Sequence, residues 1–403
     1  MKFSPPSCLA VIGMLTPMTT MADDVEERLA RMEARMAEMQ RRLDTQDQRI
    51  RSQETLIQRQ AATIAQHDAT MSPNAGSPPG NEQTAWTDRV EVTGVVEFEA
   101  THSSAYDGTD ESDFSVATAE LGIAAQVSEW VAAGVSLLYE QDDTDLEVDV
   151  AYLALANPQA SPWFLTAGQV YVPFGTYDTS LVSDPLTLEL GETRETALQA
   201  GWARGPVAAS LYAFNGDNEK DGENTIASWG AQATLVSELA QGVVALNLGY
   251  TSDLGDADTL QGVIVDNLGS HDTDRVAAWT AGVTAELGPF VLIGEYLAAA
   301  ESFEAAAVGW NGSGARPSAW NLEAGYNFSL LNKAATVAVG YQGSGEAIAL
   351  ELPRRRLLAA LSVGIFDNTA LSLEWSHDTD YDSADGGTGE DANALVAQLA
   401  VEF

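Results

Sequence analysis

The stretch "WNLEAGYNFSL" (320–330) alternates without a break. Trp320, Leu322, Ala324, Tyr326, Phe328 and Leu330 fall on one face of an extended strand. Asn321, Glu323, Gly325, Asn327 and Ser329 fall on the other. A long strand with one greasy face and one wet face suits a membrane barrel or half of a sandwich. The connections on either side decide between them. Downstream, "LNK" (331–333) turns at once into a second alternating run, whereas upstream a long segment separates 320 from the run ending near 299.

That contrast repeats from residue 89 onward. Sixteen alternating runs lie between 90 and 403, and the links between them are short and long in turn. Short ones include "SEW" (128–130), "ARGP" (203–206), "LGP" (287–289) and "DN" (367–368). Long ones include "THSSAYDGTDESD" (101–113), "VPFGTYDTSLVSDPLTLELGETRE" (172–195), "DLGDADTLQGVIVDNLGSHDTDR" (253–275) and "DTDYDSADGGTGEDAN" (378–393). Tight turns at one rim and long loops at the other characterise an outer-membrane barrel, and a sandwich has no reason to separate them so. The sequence predicts an all-β chain: a transmembrane antiparallel up-and-down β-barrel of about 16 strands over 89–403. The final run, "NALVAQLAVEF" (393–403), is the predicted closing strand, because lipid leaves no water to satisfy an open edge. Trp163 with Tyr171, and Trp320 with Phe328, are spaced to mark two interfacial aromatic girdles.

Three segments precede the barrel. Lys2, the apolar "CLAVIGML" (8–15) and "TMA" (20–22) read as a signal peptide over 1–22. Its removal takes Cys8, the one cysteine in the chain, so thiol chemistry and disulfides are excluded from the mature protein. Residues 23–68 carry an unbroken heptad. Leu29, Met36, Leu43, Ile50, Ile57 and Ile64 take the a positions, and the d positions change from Val25, Met32 and Met39 to Gln46, Gln53 and Gln60. This predicts a left-handed coiled coil in the periplasm that self-associates, with a homotrimer favoured by Ile at a over a block of Gln at d. A Pro/Gly linker (69–88, with "SPNAGSPPGNEQ" at 72–83) separates it from the barrel.

The formal net charge is −40. From 86 onward ten Lys and Arg face 48 Asp and Glu, which excludes nucleic acid as a partner.

Three stretches are similar to the LbtU-type siderophore porins, outer-membrane proteins linked to uptake of the iron chelator legiobactin. They are "LTAGQVYVPFG…SDPLTLELGETRETALQ" (165–199), "VLIGEYLAAAESFEAAAVGWNGSGARPSAWNLEAGY" (291–326), and "LPRRRLLAALSVGIFDNTALSLEWSHD" (352–378) continuing to Phe403. The resemblance implies a plug-free barrel behind a periplasmic coiled coil, passing ferric siderophore without a TonB-gated plug.

Candidate site residues come from the long-loop side. The loop around "SDPLTLELGETRE" (183–195) is too apolar for disorder, since Leu181, Leu186, Leu188 and Leu190 call for burial. If it folds inward, Asp184, Glu189, Glu192, Arg194 and Glu195 are the pore-constriction charges. If its leucines merely cap the barrel, Arg194 pairs locally with a carboxylate. Arg354, Arg355 and Arg356 suit either lipopolysaccharide phosphates or an anionic solute, with alternation pointing Arg355 opposite to the other two. Asp378, Asp380, Asp382 and Asp385 have the oxygen spacing of a loose calcium site but miss the EF-hand pattern. No other cofactor is called for, and His67, His102, His271 and His377 form no catalytic or metal motif. Three functions stay open: a siderophore porin, a general cation-preferring diffusion porin, and an outer-membrane structural tether.

Overall fold

The computed structural model describes residues 89–141, 144–222 and 224–403. The predicted signal peptide, coiled coil (Leu29, Met36, Leu43, Ile50, Ile57 and Ile64 included) and linker lie outside the described residues.

Sixteen antiparallel strands close into one barrel. Those before the largest loop are β1 (Val90–Ser104), β2 (Asp110–Gln126), β3 (Val131–Glu140), β4 (Thr144–Ala156), β5 (Trp163–Tyr171), β6 (Arg194–Arg204), β7 (Val207–Phe214), β8 (Ser228–Leu239) and β9 (Gly242–Thr251). Those after it are β10 (Ala278–Leu287), β11 (Phe290–Ala299), β14 (Ser318–Leu330), β15 (Lys333–Gly345), β16 (Arg355–Phe366), β17 (Thr369–Thr379) and β18 (Asp391–Glu402). The two-residue strands β12 (Gly309–Trp310) and β13 (Ser313–Gly314) form a separate hairpin within one loop.

The seam joins β1 to β18 in continuous register from Val95–Glu402 to Ser104–Asn393. Phe403 extends it: its N–H donates to Gly94 O at 3.0 Å and its carbonyl accepts from Gly94 N at 2.8 Å. A Cβ on Gly94 would sit 2.4 Å from the Phe403 ring, so the seam needs glycine there. Every strand of the barrel sheet is thereby paired on both edges, the condition lipid would impose.

Alternation sorts the strands into two faces. Leu395, Leu399 and Val401 of β18 are exposed on the outer surface, and Ala394, Val396 and Gln398 are buried. Outward rings gather near both rims. Trp229–Tyr250 (5.2 Å between centroids), Trp279–Tyr296 (5.2 Å) and Trp320–Tyr341 (4.9 Å) lie toward the long loops. Phe290–Tyr326 (5.1 Å), Trp163, Phe366 and Phe403 lie toward the short turns. These are the girdles expected where an apolar belt meets water. Tyr171 does not join them: its hydroxyl donates to the buried Asp149 at 2.8 Å.

Two loops differ from the sequence expectation. The segment 101–113 contracts to a five-residue turn, 105–109, because β1 and β2 run on through their polar ends. The segment 253–275 holds a helix, Asp258–Leu268, closed by Gly269 at φ 70°. Its Leu260 and Ile264, one helical turn apart, are buried.

Candidate functional site

The connection from β5 to β6 (172–193) lies inside the barrel. It enters over β9, where Gly249 has no Cβ to meet the Phe174 carbonyl; one would lie 1.8 Å from that oxygen. It then runs along the inner wall from β10 to β17 and returns as a short helix, Leu186–Gly191. Every residue of that helix is buried. Gly191 allows close approach, since a Cβ there would meet Leu297 at 2.3 Å.

Three glutamates on the wall hold the loop's main chain. Glu295 of β11 accepts from Thr176 N (2.8 Å), Tyr177 N (3.2 Å) and the hydroxyls of Thr176 (3.2 Å) and Thr187 (2.8 Å). Glu323 of β14 accepts from Ser180 N at 2.7 Å. Glu374 of β17 accepts from Val182 N (2.6 Å), Ser183 N (3.1 Å) and the Ser183 hydroxyl. Gln342 Oε1 of β15 accepts from Leu186 N at 3.2 Å. A loop strand lying on a barrel wall has main-chain donors with no ladder to join, and these side chains satisfy them.

The leucines provide the second half of the seating. Leu186, Leu188 and Leu190 join Phe174, Tyr177, Leu297 and three further long-loop segments in one apolar cluster. Those segments contribute Leu254, Leu260 and Ile264, then Phe303, Val308 and Ala315, then Ala347, Leu350 and Leu352. Leu181 packs separately with Ala338, Leu358 and Ala360 of the wall. Burial, with Glu295 next, pushes the Tyr177 hydroxyl well above its ordinary range.

A polar row crosses the wall under the helix. Glu295, Asn321, Gln342, Arg356 and Asp378 are successive register partners on β11, β14, β15, β16 and β17. Arg356 is the one buried basic side chain among the described residues. Its Nε and Nη2 donate to the two oxygens of Asp378, each at 2.8 Å. Elsewhere the inner wall is acidic: Glu97, Glu99, Glu140 and Asp149 are buried on β1, β3 and β4.

The residues singled out from sequence divide as follows. Asp184, Glu189 and Glu192 are on the infolded loop and buried. Arg194 pairs with Glu147 (2.5 Å) and Asp149 (3.1 Å) of β4, the local pairing that had been the alternative. Glu195 is partly buried at the start of β6. Arg354 pairs with Asp382 (2.5 Å), and Arg356 with Asp378. Only Arg355 of the three is exposed. The four aspartates of the calcium expectation each have a partner. Asp378 and Asp382 serve arginines, Asp380 accepts from Tyr381 N and Thr388, and Asp385 accepts from Asn311. Each aspartate is drawn to its own partner, and among the described residues no three acidic or histidine side chains converge as metal ligands.

Outside the barrel strands, Asp253 and Asp256 tie two long loops together. Asp256 accepts from Asn218 N (2.9 Å) and the Ser228 hydroxyl (2.6 Å), and Asp253 from Asn218 Nδ2 (2.8 Å) and Gly255 N (2.9 Å). Burial, reinforced by Asp256, pushes the Asp253 carboxyl up to about 7; burial also raises Asp256.

Solved structures with this architecture are outer-membrane channels. The chain superposes on OprB of Pseudomonas putida with a TM-score of 0.57 at 9% identity, covering 80% of this chain and 97% of that one. It superposes on an anion-selective porin of Comamonas acidovorans with a TM-score of 0.55 at 12% identity, covering 78% and 99%. The channel DcaP of Acinetobacter baumannii gives 0.52 at 15%, covering 78% and 97%. The fold is that of the porins. In sequence the chain is similar to UPF0422 proteins of Coxiella burnetii (29% identity over 325 residues) and Legionella pneumophila (29% over 359 residues for the Lens strain). The matches cover 77% and 78% of this chain and 69% and 66% of those proteins, so it spans about two-thirds of their length. No family model matches.

Proposed function

We propose that the chain is an outer-membrane porin that admits small solutes and prefers cations. The observation that carries this reading is the loop 172–193, pinned across the lumen of a closed barrel whose inner wall is acidic. A sixteen-strand barrel leaves room for an aqueous channel, and an infolded loop narrows it. Buried carboxylates outnumber the single buried arginine, so the local field attracts cations and opposes anions. A likeness in fold to an anion-selective porin carries no selectivity with it, because the charges here belong to this chain's own wall.

Reconstitution into planar bilayers under a salt gradient tests it. The expected result is discrete conductance with a reversal potential on the cation side, weakening as salt rises. Anion preference or a silent bilayer would overturn it.

A finer reading is passage of a ferric siderophore. It is supported by the resemblance of 165–199, 291–326 and 352–403 to the LbtU-type porins. The acidic wall favours a neutral or cationic complex over a polycarboxylate one. Loss of growth on ferric siderophore in a deletion strain, restored by the cloned chain, is the outcome it requires. The 23–68 heptad supports a homotrimer with its coil in the periplasm, and exposed Arg355 near the long-loop rim suits a lipopolysaccharide phosphate.

A further inference from the structure

We infer that Glu295, Glu323 and Glu374 are positioning residues that lock the constriction loop. This rests on the channel reading above. The wall carries many acids, and a first expectation is that each inward carboxylate only adds to the field a permeating ion meets. Three of them also hold the loop.

Glu295 uses both oxygens, Oε1 on Thr176 and Oε2 on Tyr177 N and the Thr187 hydroxyl, so it clamps the outgoing and the returning arm of the loop together. Glu374 likewise uses both oxygens on Val182 and Ser183. Glu323 gives one oxygen to Ser180 N and the other to Asn321 Nδ2 at 2.8 Å. The three are 4%, 6% and 1% exposed, with Glu323 the 6%. They lie on β11, β14 and β17, so the grips are spread along the wall. Each works because a carboxylate has two acceptor oxygens and no donor. A glutamine of the same shape keeps one acceptor oxygen and turns the other into an N–H₂, which at Glu295 and Glu374 faces another donor and halves the grip while leaving the barrel ladder untouched.

The consequence is a difference in what the two sets of acids control. Neutralising the three wall glutamates should free the loop and widen the pore, because the loop's main chain loses its acceptors. Neutralising Asp184, Glu189 and Glu192 on the loop leaves those three grips in place and should keep the pore narrow.

The test uses the full-length chain with Glu295→Gln, Glu323→Gln and Glu374→Gln combined, and each alone. Expected are severalfold larger and noisier single-channel currents, a reversal potential that moves toward zero as the wider pore loses selectivity, and loss of the protease resistance of 172–193. A rescue separates positioning from general damage. A Cβ on Gly325 would lie 3.4 Å from Ser180 Cβ, close to the roughly 3.5–4.5 Å that a disulfide takes. Ser180→Cys with Gly325→Cys, added to the triple variant, should restore narrow currents when oxidised and lose them on reduction. Should the triple variant fail to assemble, Glu374→Gln alone gives the same readings in smaller measure. Parent-like current and protease resistance in the triple variant would overturn the inference. So would a shifted reversal potential at unchanged conductance, since the glutamates would then be pore charges. Proteolysis needs no current, so a silent parent protein would defeat the channel reading and still leave the anchoring decided.

Discussion

Loops 172–193 and 380–390 leave the same rim and carry four acidic residues each, yet they end in different places. The first crosses the lumen and buries Asp184, Glu189 and Glu192. The second stays at the mouth, where Asp380 caps its own turn through Thr388 and Tyr381, and Asp382 meets Arg354 at the surface. Charge does not separate them. Leu181, Leu186, Leu188 and Leu190 do: the second loop has no leucine, and its Asp380, Asp382 and Asp385 find partners at the mouth, within the loop or on Arg354 and Asn311. Apolar side chains decide that a loop enters, and the wall then has to satisfy the polar groups that enter with it.

The largest blow to this contrast is Arg356→Met. It leaves Asp378 buried without its two hydrogen bonds and removes the positive charge facing Glu189 and Glu374. Breaking one side of a buried pair costs about 3–5 kcal/mol, read as a lower temperature of heat-induced gel shift in detergent. Adding Asp378→Leu to it should recover most of that loss, because the orphaned charge goes too.

Next comes Leu188→Ala. Leu188 is fully buried in the cluster at the mouth, so truncation should cost about 2–5 kcal/mol and expose 172–193 to protease. The barrel itself should stay assembled. If loop 172–193 remains as resistant as before, its leucines are not what seats it.

A pH series sharpens the comparison at a third place, the Asp253–Asp256 link. Both carboxyls are raised by burial, so the folded loops bind protons between the ordinary aspartate value near 3.9 and about 7 that the unfolded chain has already released. Their stability contribution is therefore greatest on the acid side and falls as pH rises through that window. Amide exchange at Asn218, Gly255 and Val276 should be slower at pH 5 than at pH 8, after correction for intrinsic rates. The reverse order would mean that the aspartates are charged in the folded loops.

The smallest effect belongs to the rim. Asp382→Asn removes a surface pair to Arg354 and should cost at most about 1 kcal/mol, vanishing in high salt.

Much of this was written in the alternation. "WNLEAGYNFSL" and its neighbours put the strands and the seam within reach of a two-residue period, and the leucines of 181–190 pointed loop 172–193 inward. The staples were harder to see. Glu323 was recognisable as inward-facing, but Glu295 and Glu374 sit in "LIGEYLA" and "LSLEWSH" as single acids among small and apolar neighbours, and their partners lie over a hundred positions away. A lone carboxylate on the wet face of a barrel strand is the signal that would have pointed to them. The helix Asp258–Leu268 did carry local signs, Leu260 and Ile264 one turn apart and Gly269 after its end, inside a loop that polar residues made look irregular. Spacing along the chain also says nothing about which arginine waits across the strand, so the pairs Asp378–Arg356 and Asp382–Arg354 were not legible there.

The β1–β18 seam has a consequence in time. Gln398 bonds Glu97 across 301 positions of sequence, and Val95 faces Glu402. Ribosomes make β1 first and β18 last, so throughout synthesis and export both edges of the sheet stay open. No internal loop can substitute for that final pairing, and contacts so remote in sequence form slowly. A nascent chain of this design needs an escort that masks an unpaired edge until the last strand arrives, and a cell that loses β18 inherits a sticky sheet in place of a smaller pore.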